Sequence, residues 1–323
     1  DCTVTLTDCV VTDNRSRSTP DSNTIAGGNI YVGARSHVDI ERSTITKGVL
    51  YSGDDTDFPD SIGAGLAARG AIVEIHDSII AGNVHQSGWD TGWGGGIALQ
   101  NCTSTIAGTA ILGNAALYGG GIGQSGGQLS ISNSSISANT AAGYYIGGDG
   151  GAIFATDGAL DMVSTTVTAN AAYCAHHDYN AGTGGIAAYK EEMNINNSIV
   201  VGNKDASPLN QDIYSIDSGF VAKEWISNGH NVLGSVSPGA MAGDAVNVGP
   251  ALVFANLDPE TGGGKPVLSN GTWVVPLRDA LDNPALSGAD PASSGEVDQR
   301  GAARPQPGAS NPDIGAYELN QTH

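Results

Sequence analysis

Apolar and polar residues alternate in seven short segments of this chain: VTLTDCVVTDN from Val4, VDIERSTITKG from Val38, VEIHDSIIAGN from Val73, STIAGTAILGN from Ser104, LSISNSSISAN from Leu129, LDMVSTTVTAN from Leu160 and MNINNSIVVGN from Met193. Two positions into each segment stands Leu6, Ile40, Ile75, Ile106, Ile131, Met162 or Ile195, and five residues further comes Val11, Ile45, Ile80, Ile111, Ile136, Val167 or Val200. Alternation over so few residues predicts half-buried strands. Between the segments lies a second signature opened by glycines: GGNIYV, GAGLAA, GGGIAL, GGGIGQ, GGAIFA and GGIAAY. It predicts another short strand per repeat.

The last apolar column recurs every 25 to 35 residues. Repeats of two or three short strands without helical periodicity cannot bury an apolar face alone, so they must stack. The predicted fold is all-β: a right-handed parallel β-helix (solenoid) of about seven or more coils. Residues 1–217 are read as coils, and residues 218–323 as the last coil or coils plus a non-repetitive C-terminal tail that caps the solenoid. Ile80, Ile111 and Ile136 are expected in one inward column.

Asn closes most units, at Asn14, Asn83, Asn114, Asn139, Asn170 and Asn203, with Gly48 in its place once. Asn tolerates the left-handed region at a corner, and stacked amides can bond from coil to coil. A Ser/Thr column at Ser43, Ser78, Thr109, Ser134, Thr165 and Ser198 is likewise structural, since no nucleophile elbow surrounds these residues. With 33 Asp+Glu against 13 Lys+Arg, the formal net charge of -20 excludes nucleic acid and anionic membranes as partners. No apolar run approaches the roughly 20 residues of a transmembrane span. The chain opens at Asp1 and reads as a mature or trimmed form. The four cysteines, Cys2, Cys9, Cys102 and Cys174, fit no zinc pattern; Cys2 and Cys9 could pair only across a tight turn and cannot meet if the segment is one extended strand.

Insertions at one corner of successive coils lie side by side, so the variable loops are expected to share a surface. They carry Trp89, Asp90 and Trp93, then Tyr118, then Tyr144, Tyr145 and Asp149, then Tyr173, His176, His177, Asp178 and Tyr179; His85 precedes the first group and is read as part of the same surface. Aromatic faces beside carboxylates suit stacking on sugar rings. Trp89, Trp93, Tyr118, Tyr144, Tyr145, Tyr173 and Tyr179 are therefore the candidate glycan-binding residues, with Trp89, Trp93 and Tyr118 expected to be partly exposed on a groove. Asp54, Asp55, Asp57 and Asp60 cluster hard oxygen ligands suited to calcium, although not at EF-hand spacing.

The alternation of NSSISANTA with GGAI resembles the repeats of secreted bacterial β-helix proteins, the polymorphic outer-membrane and autotransporter-passenger families. GHNVLG at 229–234, NPALSGADP, DQRGAARPQPG and PDIGAYE at 312–318 resemble the choice-of-anchor Q family. The resemblance implies a secreted, extracellular or bacterial cell-surface protein. Asp298, Arg300, Arg304, Asp313 and Glu318 concentrate charge in the tail and are read as ion pairs fixing it to the last coil.

The function expected is thus a structural or adhesive β-solenoid that binds glycan or cell-surface polysaccharide through its aromatic loops. CTVTLTDC starts as a strand with no preceding cover, so the expectation is either a cap supplied by a longer precursor or a second molecule on that end, the latter giving a homo-oligomer or filament by end-to-end stacking. The alternative is a polysaccharide lyase or glycoside hydrolase in the same groove. It would use Asp90, Asp149, His176, Asp178 and Tyr179, with calcium neutralising a uronate or two carboxylates working as a pair.

Overall fold

The computed structural model describes residues 2–17, 26–52, 62–87, 92–143, 148–174, 182–205, 212–216, 225–235, 243–307 and 309–320. One turn shows how the sequence builds the rest. Trp93–Gly96 forms a short arm and Ile97–Ala107 a long strand, Ala110–Leu112 makes a second face, Ala115–Ala116 a third, and Tyr118 begins the next turn directly beside Trp93. Each strand pairs in parallel with its counterparts one turn before and after. The stacks form sheets of thirteen, eight and six strands. The molecule is a parallel β-solenoid whose one α-helix among the described residues is the single turn Pro250–Val253. About six turns are paired on every face: the third face has six strands where the second has eight, so the expected count of seven or more coils is lowered slightly.

The predicted register holds. Ile80 pairs with Ile111 and Ile111 with Ile136, and the column Ile45, Ile80, Ile111, Ile136, Val167, Val200 exposes no surface (0%). Burying each such side chain stabilises by about 1.5–3 kcal/mol. Corners between faces are single left-handed residues. One corner column is Asp8, Arg42, Asp77, Gly108, Asn133, Ser164 and Asn197; another is Asp13, Lys47, Gly82, Gly113, Ala138, Ala169 and Gly202. The Asn column follows the second set by one residue, so the expectation that Asn itself is left-handed is corrected.

What Asn does is bond. The Nδ2 of Asn83, Asn114, Asn139 and Asn170 each donates to the Oδ1 of the Asn one turn on, at 2.8–3.0 Å. Each Nδ2 also reaches a backbone carbonyl, such as Ile80 O from Asn114 at 2.9 Å and Ile111 O from Asn139 at 3.0 Å. Where Gly48 breaks the column, Asn29 fills the gap from another part of the coil: Asn14 Nδ2 donates to Asn29 Oδ1 (2.9 Å), and Asn29 Nδ2 to Asn83 Oδ1 (3.0 Å). A Cβ on Gly48 would lie 2.3 Å from Ala64 O and 2.6 Å from Asn29 Nδ2, so only glycine leaves that room. The ladder ends on Asp212, whose Oδ1 accepts from Asn203 Nδ2 at 2.7 Å. Burial pushes the Asp212 carboxyl up to about 6, against the pull of the Asn203 and Ser235 hydrogen bonds. The Ser/Thr column is a second ladder: Ser43 N donates to Ser78 Oγ (3.0 Å) and Thr109 N to Ser134 Oγ (3.1 Å), while each hydroxyl returns its proton to the carbonyl two residues back.

The glycine signature has its own cause. The arm it opens runs against the third face so closely that a Cβ on Gly120 would stand 2.4 Å from Thr140 O. In the same layer the inward column Leu50, His85, Ala116, Ala141, Ala172 is buried. His85 is therefore not a loop-surface residue as expected. It faces inward from Val84–Ser87, and burial lowers its pKa to about 4.

The tail lies along the flank of the second face as well as beside the last turns. Gly264 N donates to Thr168 Oγ1 (2.8 Å), Ala316 N to Thr166 Oγ1 (3.0 Å), Gly315 N to Asn197 O (2.8 Å) and Ser135 Oγ to Gln299 Oε1 (2.5 Å). Its apolar residues Val253, Phe254, Val275, Leu277 and Ile314 form a core with Ile199, Val201 and Val232 of the solenoid. Of the predicted tail ion pairs, Asp298 Oδ2 takes Arg300 Nε and Nη2 at 2.8 and 2.6 Å, and Arg304 Nε stands 3.8 Å from Glu318 Oε2. The buried carboxylates mostly hold the tail's own backbone: Glu318 Oε2 accepts from Asp313 N (2.9 Å) and Asp313 Oδ2 from Leu319 N (2.7 Å). These pairs thus shape the tail itself, and hydrogen bonds to the flank attach it. All four cysteines carry free thiols.

Candidate functional site

The outer side of the glycine arm carries a column of residues joined by parallel bridges: Ile62, Trp93, Tyr118 and Asp149. The strands that follow point alternate residues outward, and two of those are Phe154, from Ile153–Thr156, and Tyr189, from Ile186–Tyr189. Their inward neighbours Ile153, Ala155, Ile186 and Ala188 belong to the core. Strand alternation thus puts rings from arm and strand on one surface.

The rings touch in sequence. Trp93 and Tyr118 have centroids 5.7 Å apart, Trp93 meets Phe154 edge-on at 5.0 Å, and Tyr118 lies 4.9 Å from Phe154. Phe154 continues to Tyr189 at 5.2 Å with the planes 34° apart, and Tyr189 to Tyr214 at 6.4 Å. The five residues occupy five successive turns, roughly 19 Å at about 4.8 Å per turn. Phe154 is buried; the other four rings are half-buried and reach solvent. Trp93 rests on Ile62, Ala67 and Ala98, an apolar pad outside the main core. Each ring contact adds about 0.5–1.5 kcal/mol beyond burial, so the ribbon is rigid as well as aromatic.

Asp149 anchors this ribbon. It is buried, with Oδ1 accepting from Thr183 N at 2.7 Å and Gly150 N at 2.9 Å, and Oδ2 accepting a close hydrogen bond from the Tyr189 hydroxyl. Burial raises the Asp149 carboxyl above the usual range, partly offset by those hydrogen bonds. Burial and the neighbouring carboxylate also raise the Tyr189 phenol, which keeps its proton. The carboxylate that sequence reasoning offered for hydrolysis is thus committed to holding the next ring in place.

Of the other predicted residues, Trp93 and Tyr118 come together on the ribbon, partly exposed. Tyr173 stands on the third face, where Lys204 Nζ lies 5.6 Å from its ring centroid. Trp89, Asp90, Tyr144, Tyr145, His176, His177, Asp178, Tyr179 and the calcium candidates Asp54, Asp55, Asp57 and Asp60 lie outside the described residues. Among the described residues no group of three His, Cys, Asp or Glu side chains could hold a metal, and no helix is long and apolar enough to cross a membrane. Phe154, Tyr189 and Tyr214 were missed, although GGAIFA and GGIAAY show two of them at outward positions once alternation is carried through the glycine strand. Compared with protein-family models, curated proteins and solved structures, the chain matches none.

Proposed function

We propose that the protein is an extracellular binding solenoid whose aromatic ribbon receives a neutral glycan. The observation that supports this reading is the run of ring contacts from Trp93 to Tyr214, held on a rigid sheet and anchored by Asp149. Ring faces on a flat sheet complement the C–H faces of pyranoses, and the Tyr118 and Tyr214 hydroxyls supply polar edges. A stack of successive turns suits a linear polymer better than a small molecule in a closed pocket. The acidic surface favours a neutral polymer over an acidic one. A secreted bacterial origin, with kinship to the choice-of-anchor Q proteins, belongs to the same proposal and rests on the GHNVLG and PDIGAYE segments.

The hydrolytic alternative draws no support from Asp149, whose two oxygens are occupied by backbone and phenol donors. A glycan array of neutral and acidic oligosaccharides, run with and without added calcium, tests the proposal. Retention of a neutral glycan with quenching of tryptophan emission is expected. No binding at any calcium concentration, or release of cleaved products, would overturn it.

A further inference from the structure

A second face of the molecule offers a site of different chemistry. Between the flank of the solenoid and the tail lies a cleft of about 490 Å³. Its floor is the corner column Arg42, Asp77, Gly108 and Asn133, and its opposite wall is formed by Gly271 and Arg300 of the tail. Four successive turns give the floor a length of roughly 14 Å at about 4.8 Å per turn. An extended peptide advances roughly 3.4 Å per residue, so about four residues fit along it.

Two arginines, Arg42 and Arg300, and two aspartates, Asp77 and Asp298, line the cleft, and three of the four are already paired. Arg42 places Nε and Nη2 on Asp8 at 2.9 and 3.1 Å and Nη1 on Glu41. Arg300 is consumed by Asp298 and by Glu318 O, and its guanidinium lies 3.7 Å over the Tyr317 ring. Asp77 is left as the exposed carboxylate of the floor, with no hydrogen bond or ion pair among the described residues. Its position is built: Oδ1 stands over Gly108, where a Cβ would come within 2.1 Å of it. No aromatic ring lines the cleft, so it lacks the stacking surface of the ribbon. Ile79 and the half-exposed Val297 give it apolar sides.

We propose that this cleft docks an extended, lysine-bearing segment of a partner protein, with the ammonium group on Asp77 and the aliphatic stem between Ile79 and Val297. A lysine stem lies on apolar surface while its head seeks a carboxylate, and the net charge of -20 draws a basic segment in. The site is independent of the glycan reading, being on another face and built from other residues.

Fluorescence anisotropy on the full chain at physiological ionic strength tests it. The probes are a short Gly/Thr peptide with one central lysine and the same peptide with that lysine acetylated. The lysine peptide binds, and acetylation weakens it about ten-fold. Asp77→Asn weakens it by a similar factor; Asn suits the left-handed backbone at this corner (φ 48°), so the variant folds. Glu192→Gln, an exposed carboxylate on the long face, leaves binding unchanged. Equal affinity for the acetylated peptide, no effect of Asp77→Asn, or an equal loss with Glu192→Gln would each overturn the proposal, the last by showing diffuse attraction. A glucosamine oligomer that displaces the lysine peptide at equal concentration would overturn it in favour of an amino sugar.

Discussion

Replacing Asn139 by alanine removes the middle of the Asn ladder. Its Oδ1 accepts both the backbone N–H and the side-chain Nδ2 of Asn114, each at 3.0 Å, and its Nδ2 donates to Ile111 O and Asn170 Oδ1 at 3.0 and 2.9 Å. Asn170 Oδ1 keeps the Asn139 backbone N–H at 3.0 Å, and Asn114 Nδ2 keeps Ile80 O. The substitution therefore strands the Asn114 N–H, one Nδ2 proton and one lone pair of Ile111 O, in a layer where Asn114 and Asn139 are buried. A buried polar group left unpaired costs about 1–3 kcal/mol, which gives about 3–6 kcal/mol for the three after some relaxation. Asn14→Ala is the internal control: the same residue type in the same column, but exposed, so water replaces the lost bonds and the cost stays under about 1 kcal/mol. Urea denaturation followed by far-ultraviolet circular dichroism reads both variants. Because each turn touches only its neighbours, Asn139→Ala shows either a lower midpoint or an early separate phase. If the two variants unfold within about 1 kcal/mol of each other, the ladder is not what joins the turns.

Three further outcomes follow from other parts of the structure. Gly120→Ala drives a Cβ to 2.4 Å from Thr140 O, a backbone atom that cannot yield cheaply, and lowers stability by about 3 kcal/mol in the same urea assay; a loss under 1 kcal/mol would mean that arm and third face are not in close contact. Between about pH 4 and pH 6, Asp212, raised from 3.8 to about 6, holds a proton in the folded chain that the unfolded chain has released. Its contribution is therefore present below pH 4 and lost as pH rises through about 6, amounting to about 3 kcal/mol. Relative to Asp212→Asn, the wild-type protein should lose that amount between pH 4 and pH 7, and parallel pH profiles would contradict it. His85, lowered from 6.5 to about 4, acts with the opposite sign: its neutral form is favoured on folding, so stability present above pH 6.5 is lost as pH falls towards 4. A His85 imidazole that titrates near 6.5 by NMR would place it in water.

The solenoid was legible because one register satisfied every repeat: seven alternating segments could align in only one way that kept Ile80, Ile111 and Ile136 together. The corners were harder to read. The left-handed positions before the Asn column include Ala138 and Ala169, residues with no preference for that region. The Asn ladder that directly follows them, at Asn139 and Asn170, holds them there, and propensity gives no sign of it. Asn29 was invisible as the stand-in at Gly48 because it comes from a different part of the coil. His85 was misplaced because a histidine next to a loop reads as surface, whereas alternation from Val84 turns it inward. For the site, Trp93 and Tyr118 stood out as rings in glycine-rich loops, while Phe154 and Tyr189 were hidden inside a signature read only as a strand. Asp149 read as a solvent acid; its burial depends on the Thr183 N–H and the Tyr189 hydroxyl, both from the next turn.

The binding of a neutral oligosaccharide to the wild-type chain and to Trp93→Ala, measured by calorimetry at equal protein concentration, tests the central claim most directly. Trp93 is half-buried on a pad outside the main core, so the variant keeps the solenoid's circular dichroism and its urea midpoint falls only modestly. The account predicts that affinity drops at least about ten-fold, the equivalent of about 1.4 kcal/mol, while Tyr51→Ala, at an exposed ring on the third face, binds as the wild type does. Unchanged affinity in a folded Trp93→Ala protein would contradict the claim that the ribbon is the binding face.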